Sequence, residues 1–323
     1  MQPLRHRCVG GPAIAPTVAE GRPTSADDKG DAMTATNATP RVGVVLRPQL
    51  PPEQLRGFVK AAEDGGLDDV WLWEDCFLGG GLTSAAATLS WTTSLRVGLG
   101  LMPVPFRNAA LAAMEIATLA RLFPGRFVPA AGHGVTRWMS QVGAHAASPM
   151  TLLSEWVSAT RALLNAETVT VNGVYVRLDE VSLDWPPTSV PHLLVGARGH
   201  KTLALAGEIA DGLVLDAGLS PDGVRAAVAA AASSRCQEVV VYLPCGAGQA
   251  ARQRLEAELD PVRGSGPARV AVGSPSDVAG TVRAFAAAGA TTVVLQPAGD
   301  DPNLDSTLRL AADARTIVRD VPA

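Results

Sequence analysis

From Arg41 onward the chain alternates between short apolar runs and longer segments with helical periodicity. VGVVLR (42–47) is followed by a segment with apolar residues at Leu55, Phe58, Val59 and Ala62, the i, i+3, i+4, i+7 spacing of one helix face. VWLWE (70–74) precedes an Ala-rich helical stretch from Leu82, and LRVGLGLM (95–102) precedes a helix predicted over Asn108–Phe123. PGRFVPAAG reads as a fourth strand, and later strands fall at HLLVG (192–196), GLVLD (212–216), EVVVYLP (238–244) and TTVVLQP (291–297). Apolar runs of this length, separated by helices, are the mark of parallel strands covered on both faces.

Eight such units predict an α/β fold, a (β/α)8 TIM barrel. A doubly wound open sheet is the competing arrangement, and the lack of a G-x-G-x-x-G turn after the first strand argues against it. The irregularity is an insertion after strand 4, at 133–190. It carries a helix around Leu152–Leu164 behind Ser148-Pro149, then TVTVNGVYVRL, where Asn172-Gly173 predicts a two-residue hairpin turn. Residues 1–40 lack periodicity and are rich in Gly, Pro, Thr, Ala and Asp. They are expected to form a disordered extension, upstream of a natural start at Met33, with 41–323 as the folded domain.

Composition narrows the partners. A net charge of −4 with 18% charged residues gives no basic face for nucleic acid. No apolar run is long enough to span a membrane. Cys8, Cys76, Cys236 and Cys245 form no Cys-x-x-Cys pair, which fits a reduced, cytoplasmic chain. The five histidines show no metal-ligand spacing, so no metal is expected.

In a barrel of this kind the site lies at the carboxyl ends of the strands. If the VWLWE strand ends near Glu74, then Asp75 and Cys76 project at the rim. The alternative is a carboxylate capping the next helix beside an inert thiol. Neighbouring Glu74 and Asp75 would raise the thiol pKa, which argues against a cysteine nucleophile. In VGARGHK, the Gly196-Ala197-Arg198-Gly199 loop leads into a helix starting near His200 or Lys201. Backbone N–H groups at such a start bind anions, and the three basic side chains add positive charge. Many βα turns contain glycines without binding anything.

GLGLMPVPFRNAALAAMEIATLARLFPGRFVPAAGHG (98–134), VGARGHKTLALAGEIADGLVL (195–215) and VAVGSPSDVAGTVRAFAAAGATTVVLQP (270–297) together resemble the bacterial luciferase-like oxidoreductases. The likeness is strongest to their branch dependent on the deazaflavin coenzyme F420, and it extends over roughly 41–320. It implies a flavin or deazaflavin at the barrel mouth. The ring would lie on a bulge at a non-proline cis bond, here Gly100-Leu101. The cofactor phosphate would lie on the loop of Gly196, Ala197, Arg198, Gly199 and His200, with His133 and Gly134 nearby. Asp75-Cys76 falls where several relatives have an acid or histidine followed by a catalytic histidine. Val135 replaces the glutamate of sugar-phosphate-oxidising relatives, so that acid–base pair is missing. Asp75 is then the candidate for a polar contact to ring or substrate, and Trp138 a candidate substrate wall. Arg107 belongs either to the mouth or to a structural salt bridge.

The resemblance thus implies F420-dependent hydride transfer with a small-molecule substrate. Alternatives are an FMN monooxygenase fed by a separate flavin or F420 reductase, and a non-catalytic cofactor-binding barrel. A homodimer through the early helices is also expected.

Overall fold

The computed structural model describes residues 39–233, 235–259 and 269–320. The expectations for residues 1–38, including the start at Met33, lie outside the described residues.

Eight parallel strands close into a barrel. They are β1 (Arg41–Leu46), β2 (Asp69–Leu72), β3 (Arg96–Pro103), β4 (Phe127–Gly132), β7 (Leu194–Gly196), β8 (Gly212–Leu215), β9 (Glu238–Gly246) and β11 (Thr292–Gln296). They pair in that order, and β11 returns to β1 with Arg41 opposite Thr292. A two-residue strand, β10 (Ala271–Val272), adds to the end of β9. Every predicted strand is present within a few residues of its expected bounds. The exception with consequences is β2, which ends at Leu72 rather than Glu74 and leaves Glu74, Asp75 and Cys76 in the following loop.

Two apolar layers explain the closure. The interior is filled by Val45, Trp71, Val128, Ala130, Leu194, Val214, Val240, Tyr242 and Val294. β3 contributes mainly space to this layer: a Cβ on Gly98 would lie 2.2 Å from the Trp71 ring, and one on Gly100 would lie 2.5 Å from the Tyr242 hydroxyl oxygen. Glycine there lets a large indole occupy the centre. The outer layer lies between strands and helices, among them α1 (Leu55–Asp64), α2 (Gly81–Trp91), α3 (Ala109–Leu122), α9 (Pro275–Ala287) and α10 (Leu304–Asp320). The predicted face Leu55, Phe58, Val59 and Ala62 is the buried face of α1. Asn108 caps α3 by accepting from Ala110 N at 2.8 Å.

The amino ends of the strands are tied by charge. Asp69 pairs with Arg41 and Arg96, Glu238 with Arg96 and His192, and Asp68 with Arg315 and Arg319. This is the end of a barrel where polar networks serve stability.

The insertion after β4 holds α4 (Thr136–Gln141), α5 (Pro149–Leu164) and an antiparallel hairpin of β5 (Val169–Asn172) and β6 (Arg177–Val181). The predicted two-residue turn is corrected here: Asn172 pairs with Arg177, so the loop is 173–176. The Glu155 carboxylate accepts from Val174 N, Tyr175 N and Val176 N at 2.9, 2.8 and 3.0 Å, and this bonding to α5 sets the wider loop.

Candidate active site

At the carboxyl ends of the strands lies a cavity of about 560 Å3. Its wall on β3 is the bulge at Leu101, where pairing shifts from Gly100–Ala130 to Met102–Ala131. The Gly100-Leu101 peptide is cis, as the resemblance implied; a second non-proline cis bond, Cys76-Phe77, had no counterpart in the sequence reading. The Leu101 side chain reaches over β7, so a Cβ on Gly196 would lie 2.3 Å from it. Tyr242 supports the bulge from below, its hydroxyl donating to Gly100 O at a long 3.4 Å. Burial pushes the Tyr242 phenol well up, so it stays protonated.

Next to the bulge, from the loop after the neighbouring strand β2, come Trp73, Glu74 and Asp75. Glu74 is not free to react: Arg107 bonds it at 2.8 Å and also reaches Glu115 at 3.2 Å. Arg107 is therefore a structural ion-pair residue outside the cavity lining. Asp75 makes no side-chain hydrogen bond or ion pair among the described residues, and burial raises its pKa against the pull of Arg47. A half-buried carboxyl of this kind keeps its proton to higher pH than an exposed one. Burial, with Asp75 and Glu74 adding to it, likewise pushes the Cys76 thiol up, so it carries no thiolate at neutral pH.

The remaining wall comes from the insertion and from β7. His133, at the end of β4, lines the cavity, and its Nδ1 is buried without a hydrogen-bond partner among the described residues. Burial lowers its pKa, so the imidazole is neutral. Gly134, Val135, Thr136 and Trp138 follow it along the wall. Beyond Gly196, Ala197 and Arg198 begins α6 (His200–Ile209), whose N-cap Gly199 supplies no side-chain cap; Thr202 of its first turn lines the cavity. Unbonded N–H groups at this start and the helix dipole favour an anion. Arg198 is ion-paired with Asp216 at the end of β8.

Of the residues singled out in the sequence, the cavity brings together Asp75, Gly100, Leu101, His133, Gly134, Gly196, Ala197, Arg198 and Trp138. Cys76, Gly199 and His200 lie outside its lining. Trp73, Pro103, Thr136, Thr202, Val214, Asp216 and Tyr242 were not singled out. Asp216 was within reach of the rule that flagged Asp75, since it directly follows a strand. Tyr242 was not, because both faces of VVVYLP are buried and the pattern does not say which points inward.

A closed parallel barrel with its main cavity at the carboxyl ends of the strands has the architecture of the TIM-barrel enzymes. Residues 33–264 match the luciferase-like monooxygenase family. The chain belongs to that family, and with it to the oxidoreductases.

Among curated relatives, a 5,10-methylenetetrahydromethanopterin reductase of Methanolobus tindarius is 29% identical over 80% of this chain and 75% of its own length. An F420-dependent glucose-6-phosphate dehydrogenase of Nakamurella multipartita is 32% identical over 54% of this chain and 55% of its own length. The fold matches a solved F420-dependent secondary alcohol dehydrogenase with a TM-score of 0.76 at 19% identity, over 87% of this chain and all of that one. A monooxygenase from Streptomyces bottropensis matches at 0.70 and 20%, over 85% and 98% of the two chains. Among the described residues no helix is long and apolar enough to cross a membrane.

Proposed function

We propose that the protein binds coenzyme F420 in the 560 Å3 cavity and catalyses hydride transfer to or from a small organic substrate. The observation that carries this reading is the pairing of a bulged, apolar ring wall at Gly100-Leu101 with the open start of α6. The residues present fit such a group. Gly196 leaves room for the Leu101 side chain to form the ring wall, His133 Nδ1 has no partner among the described residues, and the α6 start offers N–H donors to a phosphate. The curated relatives named for F420, at 27–32% identity, favour the deazaflavin over FMN.

When bound, F420 would supply the hydride acceptor or donor. The chain's part is to position and shield. Leu101 and Val214 press on the ring site and Trp138 closes the substrate side. Neutral His133 offers a hydrogen bond, and the 196–199 loop with the α6 start holds the phosphate. Asp75 is the group placed to hold a proton at its carboxyl oxygen or to orient a substrate hydroxyl. Cys76 and Val135 supply neither the histidine nor the glutamate of the sugar-phosphate-oxidising pattern, so proton transfer falls to Asp75, the substrate or water.

Mixing the purified protein with reduced F420 and a panel of ketones, aldehydes and imines tests this reading. Carbonyl- or imine-dependent oxidation of F420 is expected. Asp75→Asn is expected to lower kcat at least tenfold with F420 affinity unchanged. Oxidation that requires reduced FMN and oxygen instead would move the protein to the monooxygenase reading. Cofactor binding without turnover of any substrate would leave a binding barrel.

A further inference from the structure

The charges that line the main cavity do not balance. Glu74 is held by Arg107, and Arg198 is paired with Asp216. His133 is neutral, its pKa lowered by burial. Asp75 lines the same cavity, and its side chain has no hydrogen bond or ion pair among the described residues. The cation whose field reaches it, Arg47, is paired with Glu258 in a polar annex of about 190 Å3 that Gln296 also lines. The cavity is left with one carboxylate that no described cation neutralises.

Unlike His133 Nδ1, which is closed off from solvent, the Asp75 carboxylate opens on the cavity it lines, so a bound molecule can meet it. Leu101, Pro103, Val135 and Val214 make much of the surrounding wall apolar, and Trp138 adds an indole. A carboxylate in such surroundings is stabilised most by a positive charge nearby. Indoles attract cations as well, and Trp73 of the same wall already carries the Arg47 guanidinium 5.5 Å over its ring. A neutral hydroxyl would bond the carboxylate but leave its charge unbalanced. An anion would be repelled.

We infer that the substrate of the main cavity is an organic cation, a protonated imine reduced to an amine, with its nitrogen on Asp75. The imine carbon gains a hydride and the C=N π pair becomes the nitrogen lone pair. Nitrogen then takes up the proton that reduced F420 gives up along with the hydride. Two electrons leave the cofactor, and the product is again a cation, an ammonium, beside the same carboxylate. This inference rests on the reading of the main cavity as the redox site.

Calorimetry of the full chain with pyrrolidine, cyclopentanol and cyclopentanecarboxylate, rings of one size that differ in charge, tests the seat with and without F420 present. Pyrrolidine is expected to bind roughly tenfold more tightly than the other two, the effect of a charge-assisted hydrogen bond. Asp75→Asn gives up no side-chain bond to a described residue, so the fold is not at risk. It is expected to erase that preference and to leave F420 affinity unchanged. With reduced F420 supplied, pyrroline is expected to turn over roughly tenfold faster than cyclopentanone. Pyrrolidine that binds no better than cyclopentanol overturns the inference, as does a preference that survives Asp75→Asn or a cyclopentanone turnover that matches pyrroline. Pyrrolidine binding that depends on Asp75 in a chain that binds no F420 would instead sink the cofactor reading and leave the cation seat standing.

Discussion

Gly199 offers a way to separate the phosphate cradle from the stability of the helix that forms it. The residue is the N-cap of α6 with φ −96° and ψ 155°, an extended conformation open to any amino acid. A Cβ built there meets nothing within 4 Å. Gly199→Asp therefore fits without a steric cost, and its carboxylate can accept from the free N–H groups of the first turn, which favours folding by a few tenths of a kcal/mol relative to glycine. The same carboxylate occupies the place proposed for the cofactor phosphate. Two unit charges about 5 Å apart at an effective dielectric of about 20 repel by about 3 kcal/mol, which weakens Kd by about a hundredfold. Gly199→Asn keeps the capping oxygen without the charge and serves as the control. The assay is equilibrium titration with cofactor, paired with a thermal melt of each variant. The expected pattern is a Tm for Gly199→Asp at or above wild type, cofactor affinity reduced about a hundredfold, and Gly199→Asn within a few-fold of wild type. An affinity for Gly199→Asp within threefold of wild type would refute the placement of the anion at this helix start.

Two further predictions concern the scaffold. Burial alone would raise the Glu63 carboxyl, but hydrogen bonds from Lys60, Ser94 and Thr93 hold it down at about 2. Its folded pKa is thus depressed, so its contribution is present above the unfolded value near 4.5 and is lost as pH falls through about 2. Glu63→Gln is expected to cost roughly 1–2 kcal/mol in urea melts at pH 7 and to flatten the acid limb of stability against pH; an unchanged limb would refute the role. Leu111, Met114 and Leu122 leave an exposed apolar stripe on α3, the helix through which a homodimer is expected. Met114→Glu with Leu111→Glu is expected to convert a dimer to a monomer in sedimentation, and a wild-type chain that sediments as a monomer would contradict that assembly.

How much of this was legible in the sequence differs between strands and loops. Strands covered on both faces are continuous apolar runs, so all eight could be located from pattern, and their number implied closure. The same covering hides which residues point inward, and for that reason Trp71 and Tyr242 could not be assigned to the barrel interior beforehand. The β2 boundary shifted because Trp73 is apolar but lies beyond the last pairing residue, Leu72. Leu101 at the cavity wall was reached only through family resemblance, since a bulge leaves no periodic trace. The annex was invisible: Arg47, Glu258 and Gln296 lie on three distant segments, and only closure of β11 onto β1 and β9 brings them to one recess. Hairpin chemistry misled at Asn172-Gly173 because the bonds from Glu155, a tertiary contact, prevailed over the local turn preference.

The central claim is that the cavity between the Leu101 bulge and the α6 start is built for a deazaflavin. The most direct test is anaerobic equilibrium binding of the full chain to F420, FMN and reduced FMN, followed by cofactor fluorescence and calorimetry. The account expects F420 to bind in a one-to-one complex at least tenfold more tightly than either form of FMN. Preference for reduced FMN, or no binding of any of the three, would contradict it.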